Sequence, residues 1–314
     1  MTHGVLVVDK PLGRSSHDVV ALVRRALGTR RVGHAGTLDP LATGVLVLAI
    51  GEALKIVRYL ALDDKAYDAV VALGEETDTL DADGAVLRRA PLPSGLSLEL
   101  VREAALGFVG EITQRVPAVS AIKQGGQPLY RRARRGEALV PPERTTRVDS
   151  LEVSDLTEHR IRLRVECGKG FYVRALARDL AAALGTVGHL AELRRTRSGP
   201  FQLSQCAAFE SVVAAAEGDM SARDRLMQAM LPLERALPDV PRIVLDAEGA
   251  AHARHGRPIA FAHAQSTGAW TSAPTEPLLL CDDRGQLLAL GKSAEGALCV
   301  VRGLGHGRIL GSGA

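Results

Sequence analysis

Apolar and polar positions along the chain switch between two periods. Gly4–Val8 is a short apolar run stopped by Lys10-Pro11-Leu12-Gly13, a strand ending in a turn. From Ser15 the period becomes helical. Val19, Val20, Leu22, Val23, Ala26 and Leu27 share one side, Asp18 completes a capping box with Ser15, and Gly28 closes the helix. Val32–Thr43 is Gly-, Thr- and Pro-rich and reads as loop. Val45–Ile50 is continuously apolar, a strand buried on both faces, and Lys65–Leu73 alternates as a strand. Thr77–Gly84 is a polar loop, and Ser97–Val109 reads as a helix. Val116–Arg147 is an excursion with little apolar surface. Leu151–Val153 and Arg160–Cys167 are strands, the second continued by Phe171–Val173. Ala175–Leu184 is a helix closed by Gly185, and Leu203 to about Leu231 reads as one Ala-rich helical stretch. Beyond the Pro238–Pro241 break, Asp246–Arg254 is a helix. Leu278–Cys281 and Gln286–Leu290 form a hairpin, Leu298–Val301 is a strand, and Ala262–Pro277 is loop. The pattern divides the chain at residue 238, leaving 239–314 as a small β-rich unit.

Composition narrows the class. Hydrophobic residues make 46% and charged residues 24%, as in a folded globular chain. No apolar run reaches the length of a membrane helix, and the N-terminus lacks the basic head of a signal peptide. Cys167, Cys206, Cys281 and Cys299 are scattered, which fits a reducing cytoplasm better than a disulfide scaffold or zinc ribbon. The net charge of +3 is unremarkable, but its placement is not. Basic residues outnumber acidic ones between Arg115 and Arg147 and again between Glu158 and Arg197. Asp63–Asp83 is acidic. Two basic blocks beside Gly-rich stretches suit a polyanion, although RRARR (Arg131–Arg135) also reads as a solvated face.

The motif search removes most chemistries. Gly285–Ser293 has the wrong spacing for a P-loop and reads as a strand end. No dinucleotide fingerprint, zinc set or serine elbow is present, so no cofactor or metal is expected. What remains is Gly33–Gly44, GHAGTLDPLATG. Asp39 precedes a proline, which keeps it out of the helical region, in a Gly/Thr loop ahead of a buried strand. Such a carboxylate can serve as a nucleophile; taken alone, it reads more simply as an Asx-turn aspartate.

This segment resembles the catalytic motif of the TruB-type tRNA pseudouridine-55 synthases. The likeness extends to Lys10-Pro11 with Ser15-Ser16, to KAYDAV around Tyr67, and to VPAVSAIKQGGQPLYRRARRG (Val116–Gly136). GKGFYVRALARDL (Gly168–Leu180) and HLAELRRTRSGPF (His189–Phe201) complete it. It spans residues 4–201, and the last 75 residues resemble the family's PUA module only loosely. The resemblance implies an α+β catalytic domain over 1–238 on a mixed, mainly antiparallel sheet flanked by helices. An RNA-gripping insertion would occupy 116–147 and a PUA-like RNA-binding module 239–314.

The resemblance also implies site roles. Asp39 would be the nucleophile, attacking the ribose C1′ or the uracil ring. Tyr67 would lie against the uracil and act as, or assist, the base that removes the C5 proton. Arg174 would pair with Asp39 and orient it. Tyr172 and Leu193 would wall the site, and His34 would insert where the uridine leaves its stack. Lys10, Lys123, Tyr130, Arg134 and Arg194 would contact substrate. Arg131, Arg132, Arg135 and Arg195 are further candidates for phosphate contacts that offset base flipping. The implied enzyme is a cytoplasmic isomerase without cofactor, acting as a monomer on the T-arm stem-loop of tRNA, with no obligatory protein partner. The readings set against it are an RNA-binding protein without catalysis, a two-carboxylate glycosidase, and the family's guide-RNA-dependent sibling.

Overall fold

The computed structural model describes residues 3–61, 64–120, 122–133, 135, 137, 140–266, 277–294 and 296–304, with backbone alone at 123, 128, 130, 133 and 266. The chain opens with β1 (Gly4–Lys10), α1 (Ser16–Leu27), β2 (Val32–His34), β3 (Ala42–Ile50), α2 (Val57–Leu60) and β4 (Lys65–Leu73). A small hairpin, β5 (Glu75–Thr77) and β6 (Val86–Arg89), precedes α3 (Leu98–Leu106) and β7 (Gly110–Arg115). The excursion holds β8 (Lys123–Gln124), β9 (Gln127–Pro128) and α4 (Leu129–Ala133). The chain returns through β10 (Glu143–Thr157), β11 (Arg160–Cys167), α5 (Val173–Ala183), β12 (Gly188–Ser198) and β13 (Phe201–Gln202). It continues into α6 (Phe209–Glu217), α7 (Met220–Gln228) and α8 (Leu233–Ala236). The last elements are β14 (Arg242–Leu245), α9 (Ala247–Arg254), β15 (Ile259–Ala260), β16 (Ala264–Ser266), β17 (Leu278–Cys281), β18 (Leu287–Ala294) and β19 (Ala297–Gly303).

The main sheet runs β1-β3-β12-β4-β11-β10-β7, with β2 and β13 at its margin. Its pairs are antiparallel except β3 with β12, so the expected α+β fold on a mixed, mainly antiparallel sheet is what the chain adopts. The second sheet, β15-β19-β18-β17-β14-β16, is built wholly from residues 242–303.

Capping explains where several elements stop. Ser15 and Asp18 form the capping box on α1, and Gly28 closes it in the left-handed region. Four expectations need correction. Val32–Thr43 is not all loop, since Val32–His34 pairs with β3 and β3 begins at Ala42. The Ala-rich stretch is two helices, because Gly218 at φ 109° ends α6 and the Asp219 side chain caps α7 through Ala222 N. Phe171–Val173 does not extend β11, since Tyr172 is the extended residue that starts α5. Ala264–Ser266 pairs with β14 as a strand, whereas 267–276 lie outside the described residues.

The two faces of the main sheet do different work. One carries Leu6, Val8, Leu46, Leu48, Ala69 and Val71 into a core shared with α1, α5 and α6. On the other face, Val5, Val7, Val45, Val47 and Ala49 pack with Leu279, Cys281, Leu287 and Leu290 of the second sheet. Val45–Ile50 is uninterruptedly apolar because β3 is covered on both sides. Past β3 this second face is open and carries a cross-strand row of ions. Arg194 stands opposite Asp68, Asp68 opposite Arg164, and Arg164 opposite Glu152. A cavity of about 740 Å³ lies over this row, lined in part by Leu12, Leu41, Val70 and Leu193. No helix of the described residues is long and apolar enough to cross a membrane.

Candidate active site

The loop between β2 and β3 is held from below by three side chains. Ser16 Oγ donates to Leu38 O at 3.0 Å and accepts from Leu38 N at 2.8 Å, tying the loop to α1. Lys10 is fully buried and donates to the carbonyls of Pro11 (2.9 Å), Arg14 (2.5 Å) and Pro40 (3.4 Å). Arg195, 1% exposed, donates Nε to Val45 O at 2.7 Å and Nη2 to Gly36 O at 3.2 Å. Burial pulls the Lys10 ammonium down to about 8, while the Asp39 carboxylate works against the fall. Among the described residues, Lys10 and Arg195 are the two largest fully buried side chains, and both are cations bonded to backbone oxygens under Asp39. Gly44 is where β3 meets β12. Its φ is 97°, and a Cβ there would collide with the Arg195 carbonyl oxygen, so only glycine fits.

Asp39 is thereby presented to Arg174 at the start of α5. Arg174 Nη2 lies 3.0 Å from Asp39 Oδ2, the guanidinium nearly buried and the carboxylate 39% exposed. Arg174 is fixed by donating to Thr79 O (2.8 Å) and Val119 O (3.0 Å), with Asp81 Oδ2 at 3.6 Å. Asp81 is buried and in turn accepts from Thr79 Oγ1 at 2.5 Å. The sequence reading missed Asp81, since nothing in TDTLDADG marks which of its acids turns inward.

Tyr67, buried on β4, sits across from Arg195. Burial raises its pKa, and the charge and hydrogen bond of Arg195 oppose the rise. Tyr172 is pinned at both backbone groups by the buried Gln114, whose Oε1 accepts from Tyr172 N (3.0 Å) and whose Nε2 donates to Tyr172 O (3.2 Å). Burial also raises the Tyr172 phenol, and the Arg144, Arg174 and Asp39 charges reach it. His34 is half-buried on β2, its ring edge-to-face with His17 at 5.4 Å, and burial lowers its pKa. Leu193 on β12 stands opposite Ala42 and Ala69.

The remaining candidates are placed differently. Lys10 faces backbone carbonyls, which makes it a brace for the loop. Arg195 is buried, and Arg194 is held by Asp9 at 2.7 Å, so neither is an open phosphate contact. Lys123 lies in β8 and Tyr130 in α4, but their side chains, and all of Arg134, fall outside the described residues. Arg132 and Arg135 share Glu137 at 2.6 and 2.7 Å. Much of the second basic block is likewise paired. Arg160 meets Glu192, Arg164 meets Asp68, Arg178 meets Asp179, and Arg197 meets Glu166. The arrangement offers an oriented, accessible carboxylate beside one buried phenol, Tyr67, and one half-buried phenol, Tyr172.

Comparison with known proteins identifies the family. Residues 24–173 match the family model for the TruB family pseudouridylate synthase N-terminal domain, and residues 174–238 that for the tRNA pseudouridylate synthase B C-terminal domain. The tRNA pseudouridine synthase B of Xanthomonas oryzae is 46% identical over 255 residues, 81% of each chain. That of Xanthomonas campestris is 43% identical over 91% of this chain and 92% of its own. Among solved structures, a chain of a Cbf5-Nop10-Gar1 complex is 27% identical with a TM-score of 0.71, covering 96% of this chain and 84% of that one. A chain of an H/ACA RNP bound to a substrate RNA containing 2'-deoxyuridine is 25% identical with a TM-score of 0.70, covering 96% and 85%. With these relatives and this sheet, the chain belongs to the TruB family of tRNA pseudouridine synthases, which are isomerases that modify RNA.

Proposed function

We propose that the chain isomerises uridine-55 in the T-arm loop of tRNA to pseudouridine, with residues 1–238 as the catalytic domain and 239–314 as an RNA-binding module. The observation that carries this reading is the Asp39–Arg174 pair at 3.0 Å, in a loop fixed by Ser16, Lys10 and Arg195. The target uridine leaves its stack, at a cost of a few kcal/mol, and enters between Asp39 and Tyr67. Asp39 is the nucleophile, the N1–C1′ bond breaks, and the uracil turns while Tyr67, Tyr172 and Leu193 hold it. C5 then bonds to C1′, the bond to Asp39 is released, and the proton lost from C5 is matched by one gained at N1. Nothing is added or lost, and no step calls for a cofactor. Burial keeps Tyr67 a phenol at rest, so to take the C5 proton it would first hand its own proton to N1 or solvent, and Arg195 is the group that would support the phenolate so formed. His34 fills the space the uridine vacates.

The test is to incubate the pure protein with unmodified tRNA and with an isolated T-arm stem-loop, then map pseudouridine. Both substrates are expected to be modified at position 55. Asp39→Asn should abolish the product while leaving tRNA affinity within a few-fold of wild type. Full activity in that variant would remove the nucleophile assignment. The likeness to Cbf5 in its complex with Nop10 and Gar1 favours a second reading, in which partners are required. Inactivity of the pure protein on both RNAs, restored by added partners, would select it.

A further inference from the structure

Between residues 131 and 197, described arginines without a carboxylate partner include Arg144, Arg162 and Arg195. Arg195 is buried beneath the Asp39 loop, and Arg162 is exposed on the open face of the sheet, opposite Val70. Arg144 stands elsewhere. It is exposed near the start of β10, directly across from Gln114 of β7, the residue that clamps the Tyr172 backbone. Its guanidinium lies over Gly170, where an added Cβ would come within 3.0 Å of Nη1 and 3.2 Å of Cζ. Gly170 has φ 81° and belongs to the turn that leads into Tyr172 and α5. That turn is fixed from β10 as well, since Thr146 Oγ1 donates to Lys169 O at 3.3 Å. The Arg144 charge reaches the Tyr172 phenol.

From this geometry we infer that Arg144 grips an RNA phosphate next to the flipped uridine, so that the backbone is held on the Tyr172 side of the site. The inference rests on the function proposed above and adds a contact to it. A planar fork suits a phosphate, and it is already positioned because Gly170 leaves room beneath it. Lys169, exposed on the same turn, adds to the local positive field. The role is in substrate binding, and it places one backbone linkage relative to Asp39.

The experiment measures binding of the full chain to a T-arm stem-loop across a salt titration, for wild type, Arg144→Gln and Arg144→Lys. Arg144→Gln should weaken binding roughly 10-fold at low salt and reduce the slope of log K against log salt by about 0.7 to 0.9. Arg144→Lys should keep the slope and recover part of the affinity. Because the side chain is exposed, the thermal midpoint should stay unchanged in both. The same RNAs are then made with a neutral methylphosphonate at the linkage 5′ or 3′ to the target uridine. At one of the two, the neutral linkage should weaken wild type but cost Arg144→Gln nothing further. Losses that add at both linkages, or an unchanged salt slope, would overturn the inference while leaving the function intact if wild type still makes pseudouridine. A wild type that neither binds nor modifies the stem-loop would overturn both.

Discussion

The carboxylate of Asp39 sits above two buried cations that spend their donors on backbone oxygens. Lys10 is the more sensitive of the two because its folded value is about 8 against 10.5 for a free lysine. Below 8 both folded and unfolded chains hold the proton, and the cost of burying it is felt in full. Between 8 and 10.5 the unfolded chain keeps the proton and the folded chain does not, so this site's contribution to stability rises with pH. Across that window the rise should approach roughly 3 kcal/mol. Urea unfolding of wild type and Lys10→Met at several pH values checks the sign: the variant should lack the rise. A neutral Lys10 also donates fewer hydrogen bonds to Pro40, so turnover should fall over the same window as the Asp39 loop loosens. A wild-type stability that falls there relative to the variant would show the sign to be wrong.

At the scale of elements, the site depends on where strands and helices begin. Tyr172 caps no group with its own side chain, and its place at the head of α5 is imposed by Gln114 from β7. Gln114→Met should leave tRNA affinity close to wild type and lower the single-turnover rate about 10-fold. It should also cost about 1 kcal/mol, because the half-buried Tyr172 N–H loses its partner while Tyr172 O still accepts from Leu176 N at 3.1 Å. Equal loss of affinity and rate would point to general damage instead. The caps of α1, the buried run of β3 and the alternation of β4 and β11 were all legible in the sequence, since each is written in neighbouring residues. Asp39, Tyr67 and Arg174 were legible through the family motifs, and Asp39 alone would have passed for a turn residue. Asp81, Gln114 and Arg144 were not legible. Their importance comes from contacts with Arg174, 93 positions away, and Tyr172, 58 positions away, at the first two, and from a vacant Cβ position at the third. The break between α6 and α7 was legible in principle, as Gly218-Asp219 spells a stop and a cap.

The whole molecule changes how its charge is read. By segment, the stretch from Glu158 to Arg197 is strongly basic. In space many of its arginines are answered by Asp9, Asp68, Glu166 and Glu192, so only part of that charge is open to RNA. The second sheet also does more than extend the chain, because it covers Val5, Val7, Val45 and Val47 on the back of the main sheet. Removing residues 239–314 should therefore cost several kcal/mol of stability to the part that remains. The expected readout is binding of a hydrophobic dye and a lowered thermal midpoint. A truncated chain as stable as the full one would show that this contact is dispensable. The position of β12 between β3 and β4 has a consequence for a chain still being made. Val45 and Arg195 are 150 residues apart, so at about 5 to 20 residues per second the ribosome needs about 8 to 30 s to supply the strand that joins them. During that interval the apolar edge of β3 has no partner on that side, and Asp39 has neither Arg195 beneath it nor Arg174 beside it. The nascent enzyme is thus most prone to aggregate, and has no assembled site, until nearly two thirds of it has been translated.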